Sequence, residues 1–240
     1  MAFINAQSTR VLYGNTALAG YLRSVSPSAS IDMLDVTVLT DTAKQFIPAL
    51  GDYSLNVDGV FDDTTGTGSL WDVLTSPINA GSTIPTTIGL EGFTAGNSVW
   101  MIPARTVSYE VSSSVADVVG FTASFGSAAS TKLGVSLADL SARTTTANGS
   151  TVDGGASSSN GAVAHLHITS VAGTTPSLTV TVQHSTNGSS WTTLGSFTAA
   201  STTSSQLITV TGTVNRYLRA VFTISGTTPS FTCQVSLARL

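Results

Sequence analysis

TDTAKQFIPALGDYSLNVDGVFDD, residues 40–63, begins as a polar loop, becomes an alternating strand and ends in paired aspartates. From Asp52 to Phe61 the alternation is clean. Tyr53, Leu55 and Val57 fall on one face of an extended chain, and Ser54, Asn56 and Asp58 fall on the other. A strand with one dry and one wet face belongs in an antiparallel sheet packed on one side. Two further stretches repeat the device. RTVSYEV (105–111) sets Val107, Tyr109 and Val111 against Thr106, Ser108 and Glu110. VGFTASF (119–125) sets Val119, Phe121, Ala123 and Phe125 against Gly120, Thr122 and Ser124.

Composition extends this reading to the whole chain. Charged residues are only 9% of the 240, far below the usual quarter, while hydrophobic residues are 41%. The polar content is Ser, Thr, Asn and Gly, which suits strands with a wet face and starves long amphipathic helices of Lys, Glu and Arg. The expected class is all-β. One short helix is expected: Ser69 is a plausible N-cap for LWDVLTS, Asp72 sits in its first turn, and Pro77 is expected to stop it.

Length allows two domains. RTTTANGSTVDGGASSSNG (143–161) has almost no large apolar residue and many breakers, so 142–161 reads as a linker or an irregular first strand. The boundary is expected near residue 141, with limited proteolysis cutting within 143–161. In 162–240, GTTPSLTVTV (173–182) returns as GTTPSFTCQV (226–235), each copy following an apolar strand. Read as turns, the two Gly-Thr-Thr-Pro segments predict matching hairpins in a small β-sandwich that uses the same corner twice. STNGSSW supplies an Asn-Gly hairpin turn.

Charge divides unevenly. Residues 1–140 hold 12 acidic and 5 basic side chains, net −7; residues 141–240 hold 1 and 4, net +3, which together give −4. The acidic half would repel nucleic acid, against a DNA-binding module.

Chemistry is hard to find. Cys233, the single cysteine, alternates with Phe231 and Val235 and reads as a small buried hydrophobe. His165 and His167 share a strand face, but Leu166 and Ile168 take the core side, so the histidines are expected toward solvent. With Asp153 the one carboxylate of 141–240, no metal site is expected. Neither a Gly-x-Ser-x-Gly elbow nor a phosphate-binding Gly-rich loop is present. Asp62 and Asp63 point to opposite faces if extended, so they read as a strand-terminating turn rather than a paired acid and base. Trp71 and Trp100 read as core; Trp191 reads as a packed strand residue or a weak carbohydrate-stacking platform. Asn148-Gly-Ser and Asn187-Gly-Ser read as turns. The start lacks a basic segment followed by an apolar run, and no apolar stretch nears the roughly 18 residues of a membrane helix. A soluble protein with no catalytic residue, no cofactor and no membrane insertion is expected.

LDVTVLTDTAKQFIPALGDYSLNVDGVFDD (34–63) resembles a pattern in the major tail proteins of long-tailed, siphovirus-type bacteriophages, the subunits of the tail tube. There a loop with Asp-Thr-Ala-Lys precedes an apolar-Pro-Gly-Leu-like turn, a strand and Gly-x-Phe-Asp. Ala49 stands where that pattern has Gly. NSVWMIPARTVSYEVSSSVADVVGFTASF (97–125) is similar to the family's paired strands. NGAVAHLHITSVAGTTPSLTVTVQHSTNGSSWTTL (160–194) is similar to an appended C-terminal β domain. The resemblance implies a tail-tube β-sandwich or barrel over 1–141 and a C-terminal sandwich over 162–240 on the tube exterior. It implies a structural virion protein whose six-membered rings stack around a channel for DNA, which passes without specific binding. The implied partners are other copies of the chain, then terminator, tape measure and distal tail proteins; the implied location is the virion tail, assembled in the host cytoplasm. On this reading Ser54, Asn56, Asp58, Ser108, Glu110, Thr122 and Ser124 face the lumen. Thr40, Asp41, Thr42, Lys44 and Phe46 lie in a loop that reaches a neighbouring ring. The competing readings are a head decoration subunit and a carbohydrate-binding adhesin resting on Trp191.

Overall fold

The computed structural model describes residues 6–66, 68–115, 117–127, 129 and 131–240. After a 3-10 turn at Ala6–Ser8, the elements in chain order are β1 (Arg10–Tyr13), β2 (Thr16–Ala17), β3 (Leu22–Asp35), β4 (Phe46–Val60), α1 (Leu70–Ala80), β5 (Ile84–Gly89), β6 (Ser98–Ser112), β7 (Gly120–Ser127), β8 (Lys132–Arg143), β9 (Ala147–Asn148), β10 (Val152–Asp153), β11 (Ala162–Ser185), β12 (Thr192–Ser196), β13 (Ser204–Val210) and β14 (Tyr217–Arg239). The fold is all-β with one α-helix among the described residues. It divides into two compact units, and the division does not follow residue 141. One unit takes residues 6–20, 84–102 and 132–240; the other takes 21–83 and 103–131.

The first unit is organised by two very long strands. β11 and β14 pair antiparallel from Ala162 with Arg239 to Ser185 with Tyr217, a single ribbon. Halfway along, both strands reach Gly-Thr-Thr-Pro together, Thr174 lies opposite Thr227, and the register shifts on either side. The two repeats are therefore not hairpin turns. They are two facing corners of one ribbon, each with a glycine at φ 112° (Gly173) or 119° (Gly226) and a threonine at φ 48° (Thr175) or 47° (Thr228). The ribbon's halves share one core: Leu166, Ile168, Phe231, Cys233 and Val235 from one, Leu178, Val180, Leu218 and Phe222 from the other. Cys233 is fully buried there, and burial pushes its thiol up to about 11.

The remaining strands attach to this ribbon. β13 pairs with β11 along Ala162–Ile168, β12 pairs with it near His184, and β8 pairs with β14 from Phe231 to Leu237. Asn187 builds the turn before β12, its side-chain oxygen accepting from the Ser189 and Ser190 amides. The breaker-rich segment 142–161 lies along β14. β9 and β10 pair with Val221, Phe222, Leu218 and Tyr217, Ser158 bridges Val214, and Asp153 makes a two-pronged ion pair with Arg216. That guanidinium holds the Asp153 carboxyl down to about 2.

The second unit is an antiparallel sheet in the order β3–β4–β7–β6. Leu55, Val57, Phe121, Ala123 and Phe125 are buried on one face. Tyr109 stacks on Phe121, and Trp71 meets Tyr109 edge-on at 5.3 Å. The alternation expected for β6 fails at one point. Thr106 is buried and Val107 is 64% exposed, because the register with β7 jumps between Thr106 and Ser108 and leaves Val107 as the extra residue of a bulge. The helix starts as expected, Ser69 Oγ accepting from the Asp72 amide. It does not stop at Pro77 but runs to Ala80 and ends on Gly81 in the left-handed region, whose N–H donates to the Pro77 carbonyl. A proline one turn from the end removes a single intrahelical bond, and the glycine supplies the termination instead. Trp71 is half-exposed on this helix rather than core, and Trp100 is partly buried. Ser69→Ala is expected to cost about 1 kcal/mol by removing the cap, read as a lowered midpoint in chemical denaturation.

Candidate functional site

The register of the second unit brings all seven polar candidates onto one face. Asp58 lies opposite Thr122, and Thr122 opposite Glu110; Asn56 lies opposite Ser124, and Ser124 opposite Ser108. Directly opposed residues in an antiparallel sheet share a face, so these form two straight rows, with Ser54 beginning a third. Ser124 Oγ donates to Asn56 Oδ1 at 2.7 Å. The sheet also carries β3, whose alternation is of serine with small apolar residues. SVSPSASI (24–31) has serine at every second position, and Ser24, Ser26 and Ser28 pair with Asp58, Asn56 and Ser54, extending each row by one hydroxyl. Ser24 Oγ donates to the Asp58 carboxylate. The signal was present, but serine alternating with Val, Pro, Ala and Ile looks like a linker when the apolar partners are small. Arg105, opposite Gly126, brings a cation onto a face that otherwise carries hydroxyls, an amide and the acids Asp58 and Glu110, with Asp52 one row further on opposite Ser30.

Beyond these rows the sheet narrows to two strands. β7 covers β4 only from Ser54 to Val60, whereas β3 and β4 stay paired out to Asp35 with Phe46. The resulting arm bears Ile31, Met33, Leu34, Val36, Val38, Leu39, Phe46, Ile47 and Leu50, all exposed, with Leu39 and Leu50 almost bare. Thr40, Asp41, Thr42, Lys44 and Phe46 lie at its tip, exposed. The tip is internally tied: Thr37 N–H donates to Asp35, the Val38 N–H to Asp41, and the Gln45 N–H to Thr37 Oγ1. Asp41 thus serves the turn itself. A two-stranded ribbon is marginal in water, and this one leaves nine large apolar side chains exposed.

Elsewhere the histidines differ from expectation. His165 and His167 are buried, not solvent-facing, because β5 and the β1–β2 turn cover that side of β11; Thr87 Oγ1 lies 3.2 Å from His165 Nδ1 and 2.8 Å from His167 Nε2. Asp62 accepts from the Thr64 amide and hydroxyl, which hold its carboxyl low, as in a strand-ending turn. Trp191 is partly buried with the Arg219 guanidinium 4.2 Å over its ring, so one of its faces is taken. Among the described residues no three His, Cys, Asp or Glu side chains are grouped to hold a metal ion.

No family model matches the sequence, and no curated protein is similar to it. Solved structures similar to the chain include a virion protein of a native gene transfer agent particle, at 15% identity over 54% of this chain and 97% of that one, TM-score 0.43. The tail tube of SPP1 is similar at 13% identity over 53% and 77%, TM-score 0.43. The Dit protein of SPP1, described as a hub of the adsorption apparatus, is similar at 14% identity over 96% and 98%, TM-score 0.38.

Proposed function

We propose that the chain is a structural subunit of a phage tail tube, assembling as stacked, six-membered rings around a DNA channel, and that it is not an enzyme. The observation that carries this is the arm of residues 29–52: an apolar surface that a solitary subunit leaves in water and a neighbouring copy would bury. The polar rows fit the same reading. Four strands from each of six copies, about 4.8 Å apart, make a closed sheet roughly 115 Å around, hence roughly 35 Å across. β3 pairs with β4 alone among the described residues and offers its free edge to a neighbour's sheet. A lining of hydroxyls with Asp58 and Glu110 gives a polyanion few cations to release counterions against, so it slides. Terminator, tape measure and distal tail proteins would meet the ends of this tube.

Electron microscopy of the purified chain tests the reading: rings or tubes with a central hole are expected, and a uniformly monomeric protein at high concentration overturns it. The channel assignment is tested separately. Asp58→Lys with Glu110→Lys should still yield tubes, yet those tubes should retain DNA at low salt and release it as salt rises, whereas the parent's do not. A map placing both carboxylates on the tube exterior would remove the lumen assignment while leaving the tube.

A further inference from the structure

The buried side of β11 that faces away from the main core is polar. His165 and His167 stand two residues apart, opposite Ser236 and Gln234 of β14 and Leu207 and Ser205 of β13. Thr86 and Thr87 of β5 and the Gly14 carbonyl of the β1–β2 turn close over them. The hydrogen bonds have one possible direction. A carbonyl only accepts, so His167 Nδ1–H donates to Gly14 O at 2.6 Å, leaving His167 Nε2 as an acceptor. Thr87 Oγ1–H fills that acceptor at 2.8 Å, and the same oxygen accepts from His165 Nδ1–H at 3.2 Å. His165 Nε2 ends the chain as a buried atom with no partner among the described residues.

We propose that the chain from His165 through Thr87 and His167 to Gly14 is an acid-sensitive latch, holding the β1–β2 hairpin and β5 on the β11–β14 ribbon at neutral pH and releasing them on acidification. A proton can enter at two places, and each leaves a buried cation with poorer bonding than the neutral chain. On His165 Nε2 it makes a buried cation with no acceptor. On His167 Nε2 it sets N–H against Thr87 Oγ1–H, so Thr87 must turn its proton from the 2.8 Å bond to Ser236 Oγ, 3.5 Å away, while its oxygen accepts from both rings. The surrounding groups compensate only in part: backbone bonds to Thr86 and Gly14 favour the charged rings, but burial outweighs them, the rest of the cover is hydroxyls, an amide and an aliphatic side chain, and among the described residues the titratable group facing His165 is His167. Burial therefore lowers both rings, His165 to about 3 and His167 to about 4, against 6.5 for a hydrated imidazole. Because the closed-state value lies below the open-state value, the latch holds fully above pH 6.5 and weakens as pH falls from there toward 4. Each histidine then shifts the open-to-closed ratio about tenfold per pH unit, and the two together about a hundredfold.

Hydrogen exchange of the full chain, corrected for the intrinsic pH dependence of amide exchange, reads this directly. Between pH 6 and pH 4 the peptides covering 6–20 and 84–89 should lose protection while those covering 177–185 and 217–225 keep it. His167→Gln retains a donor for Gly14 and an acceptor for Thr87 without a titrating group. It should reduce the pH dependence of hairpin opening from about a hundredfold to about tenfold per unit. Imidazole titration of the parent by NMR gives a second readout that needs no variant. Loss of protection in all four peptides together, a pH dependence unchanged in His167→Gln, or His165 and His167 titrating near 6.5 while the hairpin stays protected would each overturn the latch.

Discussion

Gly173→Ala and Gly226→Ala are each expected to destabilise the protein by about 3 kcal/mol or more, a loss of roughly 10 °C in Tm for a chain of this size. Two effects add at these positions. The backbone sits at φ 112° and 119°, where an L side chain is strained, and a Cβ at Gly173 would lie 2.7 Å from the Thr228 carbonyl oxygen. At Gly226 it would lie 2.8 Å from the Thr175 carbonyl oxygen. The obstacle is backbone of the facing corner, so relief requires the corners to separate and the shared core behind them to open. The double variant should cost less than the sum, since either substitution alone already forces that separation. Gly212→Ala is the control: its φ of 88° is also left-handed, but nothing lies within 4 Å of the added carbon. Thermal and urea unfolding followed by circular dichroism compare the three. Equal losses at Gly173 and Gly212 would mean that the facing corner contributes nothing.

On the proposed tube reading, Leu39→Asp combined with Leu50→Asp is expected to abolish polymerisation while leaving the melting of the subunit within about 0.5 kcal/mol of the parent, because both side chains already stand in water in the isolated chain. A carboxylate at a buried contact must be desolvated without a partner, which is far costlier than the loss of a leucine contact. Sedimentation velocity distinguishes the outcomes. Tubes of normal length from the double variant would show that the arm is not the covered surface. Lys44→Glu is the milder companion. It changes the tip's charge without touching the turn, whereas altering Asp41 would also remove the acceptor of the Val38 amide.

What could be read from the residues, and what could not, follows from the range of the interactions. The wet and dry faces of β4 and β7 were legible because Leu55, Val57, Phe121 and Phe125 alternate strictly with polar neighbours. Most of β6 was legible too, and the exception is instructive: the bulge at Val107 depends on β7's register, which no local pattern encodes. Ser69 as a cap was local and visible; the helix end was misplaced because Pro77 is a strong local signal and Gly81 a stronger one in context. The Gly-Thr-Thr-Pro repeat was visible, but its meaning was not. A Gly-Pro-containing segment reads as a turn unless the partner strand is known to bend at the same level. Alternation with Leu166 and Ile168 points the histidines to solvent only where a strand has one buried face, and β11 has two. Thr40 to Phe46 are exposed, as their polarity suggests, but the apolar length of the arm on either side is hidden by its resemblance to ordinary strand sequence.

The continuous β11–β14 ribbon also sets the order of events during folding. Its pairs range from Ser185 with Tyr217, nearest in sequence, to Ala162 with Arg239, farthest apart. Contacts of that separation form slowly when each must be found independently, because the loop must close before any reward is returned. Here each pair brings the next one into reach, so pairing is expected to spread from the Ser185 end toward the chain terminus like a zip. The spread must pass the two corners, where the register shifts and both strands enter the left-handed region at once. A slow refolding phase is therefore expected to reside there, with β12 and the Ser185 half of the ribbon gaining protection first and the Ala162 half, which carries β8 and β13, gaining it last.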